Sequence, residues 1–180
     1  MKRVLVVAHP DDEALWFGGL LISEPGDWTV ICCSIPRTDP DRAWKFFAAC
    51  ELLGAKAKLL PFTEAPANSD IEHLDLLELS SFDEIVTHSA AGEYGHRHHI
   101  GIHRHIAAHW PEKMVAGCYG KVSGAKVVAL TAAQGERKIA ALSCYSHVSP
   151  SDGQPKWQAL LDRYGSKFDL GVETYERYCA

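Results

Sequence analysis

"RVLVVAHPDDE", residues 3–13, joins two different kinds of chemistry within eleven positions. Arg3–Ala8 is apolar from Val4 onward without alternation and rich in valine, the pattern of a strand covered on both faces of a parallel sheet. The chain then turns at His9-Pro10 and meets three acids, Asp11, Asp12 and Glu13. Acids suit the first turn of a helix, and "DDEALWFGGLLIS" has the apolar spacing of one. Adjacent carboxylates also repel, which raises the pKa of at least one of them unless a cation is close.

Outward from this stretch, strand and helix patterns alternate. "WTVICCSI" reads as a strand, and "DPDRAWKFFAACELLG" as a helix with Pro40 near its start and Gly54 at its end. "AKLLPF" is a short strand, "IEHLDLLEL" a helix and "DEIVTHS" a fourth strand. "HHIGIHRHIAAHW" is helical, "MVAGCYG" and "AKVVALT" are strands, and "AAQGERKIAALSCYSH" is a helix. The remainder reads as a tail containing a helical "KWQALLDRYG", after a surface loop at "SHVSPSDGQP". The alternation predicts an α/β fold, a Rossmann-like, mostly parallel sheet with helices on both faces. Without repeats or linkers, residues 1–180 are read as a single domain.

A strand order of 3-2-1-4 would place a topological switch between strands one and four, where ligands bind beyond the strand ends. The loops there are "HPDDE" and "SAAGEYGHRHH", so the two most unusual segments would meet.

Composition narrows the class. With 47% hydrophobic and 23% charged residues the chain is a soluble globular type, and a net charge of -5 argues against nucleic-acid binding. No segment has the length of a membrane span. The first apolar run is too short for a signal peptide and runs directly into acids. Six cysteines without a CxxC, mostly in apolar segments, are expected to be buried free thiols in a reducing cytoplasm. The oligomeric state is left open.

Seven of the ten histidines lie between His88 and His109, so this tract is where ligands for an ion are sought. His9, Asp12 and one histidine of that cluster would make a His/Asp/His set. Three protein ligands with an open position is the arrangement of catalytic zinc, and ferrous iron or another divalent metal suits the same donors. Asp11 is then a spare carboxylate, able to accept a proton from water acidified by the metal. A nucleotide-binding module fits poorly, since acids stand where a glycine-rich phosphate loop would be.

"AHPDDE" at 8–13, "EYGHRHHIGIH" at 93–103, and the framework stretches "DRAWKFFAACELLGA" and "RKIAALSCYSH" carry a resemblance. The chain resembles the PIG-L/LmbE-like family of metal-dependent N-acetylglucosamine deacetylases, which has an "AHPDDE" motif and a later "YGHPDH"-like one. The resemblance implies a hydrolase that removes the N-acetyl group from an N-acetylamino sugar or its conjugate. It implies zinc held by His9, Asp12 and His99, and Asp11 as general base. His96 would protonate the leaving amine or steady the oxyanion, with Tyr94 as a second oxyanion donor. Arg42 and His147 would contact the substrate. Arg97 replaces the family's proline, and His98 replaces an aspartate expected to orient His96. An amidase acting on a thiol–sugar conjugate, and a metal-binding relative with little activity, stay open beside this reading.

Other residues are expected to play quieter parts. Glu13 is read as a first-turn helix acid with a supporting part beside the site, His105 and His109 as surface or packed residues, and His98 as solvent-facing. His103, four positions after His99 on one helical face, is read as support or core. His88 is balanced between pocket and packing.

Overall fold

The computed structural model describes residues 1–34, 41–62, 79–118, 125–145 and 171–177. The elements run β1 (Lys2–Val7), α1 (Asp12–Ser23), β2 (Asp27–Ser34), α2 (Arg42–Leu53), β3 (Lys56–Phe62) and β4 (Glu84–Thr87). A single helical turn, α3 (Gly92–Gly95), leads into α4 (Arg97–His109). β5 (Met114–Cys118), β6 (Lys126–Ala129), α5 (Ala132–Ser143) and β7 (Val172–Arg177) follow.

One seven-stranded sheet holds the strands in the order β3-β2-β1-β4-β5-β7-β6. β1 pairs in parallel with β2 on one side and β4 on the other, so the expected switch point lies between β1 and β4. Alternate residues of β1 serve two cores. Leu5 and Val7 pack with Phe17 of α1, Phe46 and Leu53 of α2 and Leu142 of α5, while Val4 and Val6 pack with Ile102 and Ile106 of α4. Helices therefore cover both faces, which is why the "VLVV" run shows no polar alternation.

The sheet is mixed at one edge. β7, read from sequence as part of a tail, pairs antiparallel with both β5 and β6. "VETYER" hides its period-2 signal because its core-facing positions are Glu173 and Tyr175, one of them a charge. The helices expected at "IEHLDLLEL" and "KWQALLDRYG" fall outside the described residues, apart from Leu79, and so does His147. Cys32, Cys33, Cys50 and Cys118 are buried free thiols, as expected, and Cys144 is half-buried. Among the described residues no helix is long and apolar enough to cross a membrane.

Glu173 ties the edge strand to the helices. Its carboxylate accepts the backbone N–H groups of Gly19 (2.6 Å) and Leu20 (2.7 Å) in α1 and meets Lys138 Nζ of α5 at 2.5 Å. The Tyr175 hydroxyl donates to Trp16 O at 3.1 Å. A Cβ at Gly19 would stand 2.7 Å from the Glu173 carboxyl carbon, so glycine is required for this approach. Lys138 is 1% exposed, and removing its partner strands a buried charge. Glu173→Gln is expected to cost about 3 kcal/mol in urea denaturation, with part recovered when Lys138→Met is added.

Candidate metal centre

The site forms where the β1–α1 turn meets the segment after β4. His9 N–H donates to Asp12 Oδ2 at 2.8 Å and Asp12 N–H donates to His9 O at 3.2 Å, a closed turn that aims both side chains the same way. Trp16 Nε1–H, one helical turn on, donates to the other Asp12 oxygen at 3.2 Å. His99, in the first turn of α4, is fully buried and brings Nε2 to the same place.

Three donor atoms then form a triangle. His9 Nδ1 lies 3.3 Å from Asp12 Oδ2, His99 Nε2 lies 3.3 Å from Asp12 Oδ2, and the two nitrogens are 3.3 Å apart. Ligand atoms about 2.0–2.1 Å from a tetrahedral ion stand about 3.3–3.4 Å from one another. The residues present fit a divalent cation. His96 could add a fourth nitrogen, since it groups with His9 and His99. His88 also groups with Asp12 and His99, but its Nε2 already accepts Ala8 N–H at 3.0 Å. A ring nitrogen whose lone pair is committed is no ligand, so His88 is an outer partner.

Electrostatics agree with that reading. Burial alone would raise Asp12, yet the surrounding His99, His88 and His9 hold its carboxyl well below the usual range. Burial would lower His99, but the carboxylates of Asp12 and Glu93 outweigh it and push it up to about 10. Glu93, also opposed by burial, is held down to about 2 by His88 and His99. Two buried carboxylates thus face imidazoles, and the positive charge they favour is one that ring protons or a divalent ion can supply.

Asp11 sits beside the triangle. Burial pushes it up to about 6, opposed by the Arg42 guanidinium, whose Nη2 donates to Asp11 Oδ2 at 2.5 Å and also to Pro10 O. Asp11 has φ 121°, a conformation disfavoured for a residue with a side chain. Glu13 helps to hold it, because its Oε2 accepts Asp11 N–H at 3.0 Å while Tyr145 OH donates to Oε1 at 2.5 Å. Glu13 is wholly buried, and burial pushes its carboxyl up to about 8.

The half-buried His96 ring stands edge-on to His9, 4.6 Å between centroids, with the Tyr94 ring 5.6 Å from His96. Burial, with His99 and His9 beside it, lowers His96 to about 3. His98, expected to face solvent, is instead half-buried with Nδ1 3.1 Å from His9 Nε2. Its ring nitrogen faces His9, whereas the family's aspartate at that position was expected to serve His96. His103 Nδ1–H donates to His88 O at 2.8 Å, a supporting part. His109 is exposed and His105 half-buried on the outer face of α4.

Sequence reasoning thus assembled His9, Asp11, Asp12, Arg42, Tyr94, His96 and His99, all of which the fold brings to one place. It missed Glu93 and Tyr145. Glu93 has one sequence signal, its setting between two glycines in "GEYG".

No protein-family model matches the chain. Over 145 residues it is 28% identical to a 1D-myo-inositol 2-acetamido-2-deoxy-alpha-D-glucopyranoside deacetylase of Corynebacterium diphtheriae, covering 57% of this chain and 50% of that protein. The chain spans about half the length of the curated relatives it matches. Among solved structures it superposes on the A40926 pseudoaglycone deacetylase Dbv21 with a TM-score of 0.68 at 16% identity, covering 99% of this chain and 98% of that one. The N,N'-diacetylchitobiose deacetylase of Pyrococcus horikoshii gives 0.65 at 18% identity, with 96% and 83% covered. The fold is that of the PIG-L/LmbE-like deacetylases. It also carries other chemistry, since the 4-carboxy-2-hydroxymuconate hydratase GalB superposes with a TM-score of 0.60 at 15% identity, covering 97% and 96%.

Among the described residues the Tyr145 hydroxyl is the side-chain donor to Glu13. Tyr145→Phe is expected to destabilise the protein by about 1–3 kcal/mol, the cost of a buried polar group left short of a partner, read from the shift in denaturation midpoint.

Proposed function

We propose that the chain is a divalent-metal-dependent hydrolase that removes the N-acetyl group from an N-acetylamino sugar or its conjugate. The observation that carries this is the triangle of His9 Nδ1, Asp12 Oδ2 and His99 Nε2, every edge 3.3 Å, with a carboxylate at its side. The deacetylase relatives support the reaction class. The name of the Corynebacterium relative, an inositol-linked acetamido sugar, favours a conjugate over a free sugar.

In this reading His9, Asp12 and His99 hold the ion, zinc in the first instance, with ferrous iron suited to the same donors. A bound divalent ion polarises an acetamide carbonyl and acidifies water. Asp11 takes the proton of the attacking water on Oδ1, because Arg42 occupies Oδ2. The same Arg42 contact fixes the direction in which the free oxygen points, and the guanidinium flanks the substrate side. Tyr94 and His96 are donors toward the developing oxyanion, and the proton that Asp11 takes from water is relayed through His96 to the departing nitrogen, so that acetate and a free amine leave. His147 is retained as a substrate contact. A cytoplasmic, small-molecule enzyme is the setting proposed.

Metal analysis of purified protein is expected to find close to one divalent ion per chain, lost in Asp12→Ala. Incubation with N-acetylated sugars, nucleotide sugars and thiol–sugar conjugates is expected to release a primary amine, detected with an amine-reactive dye. Asp11→Asn is expected to slow that release about 10²–10⁴-fold, the usual contribution of a general base. Metal binding with no amine from any substrate would instead select the low-activity relative, and amine from thiol conjugates alone the amidase.

A further inference from the structure

Glu93 has no part in the scheme above, although its side chain is wholly buried inside the site. Its Oε1 accepts Ser89 N–H at 3.0 Å, and its own N–H donates to Ser89 Oγ at 3.0 Å. Its Oε2 meets His99 Nδ1 in a short hydrogen bond. His88 Nδ1 stands 3.0 Å from the same oxygen, without the alignment of a full hydrogen bond.

These contacts decide which nitrogen of each ring carries a proton. Because His88 Nε2 accepts Ala8 N–H, the His88 proton sits on Nδ1, facing Glu93. A carboxylate accepts only, so His99 Nδ1 must be the donor to it, and a neutral His99 then has its lone pair on Nε2. That atom is the His99 corner of the triangle. The His88 and His99 rings stack at 3.8 Å with 15° between their planes, so one carboxylate anchors both. Through Ala8, His88, Glu93 and His99 the segment after β4 is clasped to the end of β1.

The backbone around Glu93 is bent to make this possible. Glu93 has φ 58° and ψ -77°, inside a turn that departs from helical geometry. Gly92 before it has φ 65°, and a Cβ there would meet Ile100 Cγ1 at 2.7 Å, so glycine alone lets the turn press onto α4. A strained non-glycine residue inside a buried cluster is usual where the surroundings over-determine a functional geometry.

We propose that Glu93 is the positioning residue of the metal centre, holding His99 with its proton on Nδ1 and its Nε2 lone pair toward His9 and Asp12. The inference rests on the ligand set of the previous subsection and adds to it the group that orients one ligand. A carboxylate behind a histidine ligand raises its basicity, and losing such a partner weakens metal affinity about 10–100-fold.

The test is zinc titration of chelator-stripped protein in competition with a chromophoric chelator, beside long-range proton–nitrogen spectra of the imidazoles. Wild type is expected to bind one equivalent, with His99 protonated on Nδ1. Glu93→Gln keeps the size but cannot accept from both Ser89 N–H and His99 Nδ1–H, so zinc affinity is expected to fall about 10–100-fold. Affinity in Glu93→Gln within twofold of wild type, with an unchanged circular dichroism spectrum, overturns the proposal. If that variant fails to fold, the wild-type spectrum decides alone, since a zinc-loaded His99 protonated on Nε2 overturns it equally. A wild-type protein that takes up no zinc overturns the ligand set itself, and this inference with it.

Discussion

Parallel pairing of β1 with both β2 and β4 is the constraint on which the site depends. It reverses the direction of winding between β1 and β4, so the segments leaving the two strands are not swept apart by intervening helices. Residues about ninety positions apart then meet: the His9–His99 contact spans 90 residues and the Ala8–His88 contact 80. The buried strands supply rigidity, for Val4 to Val7 have no exposed surface. An imidazole on the end of such a strand has little freedom to drift, which is what a ligand triangle with 3.3 Å edges requires.

Strain marks the same place. Among the described residues two non-glycine positions have positive φ, Asp11 and Glu93. One lies in each of the converging segments. Each costs of order 1–3 kcal/mol and persists only where the surroundings over-determine it, and each is held at both its backbone and its carboxylate. Asp11 is fixed by Glu13 through N–H and by Arg42 through Oδ2. Glu93 is fixed by Ser89 and His99. The folding energy of the hydrophobic core maintains two carboxylates in conformations they would not choose.

How much could be read beforehand follows from which signals are local. The β1 strand, the acidic turn and the switch-point prediction were legible because strand periodicity and topological rules need only short windows and element order. Two corners of the triangle were legible because His9 and Asp12 are three residues apart, and the third was narrowed to a conspicuous histidine tract, with His99 itself singled out only by the family resemblance. β7 was not, since a buried Glu173 satisfied by α1 amides and Lys138 reads in sequence as a surface acid. Glu93 failed for the same reason: a carboxylate announces burial only through partners, and His88 and His99 come from elsewhere in the fold. Glu13 was assigned chiefly to the helix dipole with a supporting part beside the site, and the supporting part is the one its buried carboxyl plays in linking Tyr145 to Asp11. Buried acids are the residues whose sequence appearance and structural role diverge most, because polar satisfaction is a tertiary property.

His98 shows what a departure from a motif does once geometry is known. Taken from sequence, a histidine in place of an aspartate removes an acceptor from His96. In the fold its Nδ1 faces His9 Nε2 at 3.1 Å, while its ring stands T-shaped to His96 with centroids 5.2 Å apart. His9 turns Nδ1 toward Asp12 and His99, so in a ligated state its proton belongs on Nε2 and needs an acceptor. An imidazole nitrogen can fill that need, though as a neutral group it stabilises the proton less than a carboxylate would. The two proposed histidine ligands would then be supported unequally, His99 by the Glu93 carboxylate and His9 by an imidazole. In the proposed ligand set the substitution would fall on the basicity of His9, while both converging segments stay in place.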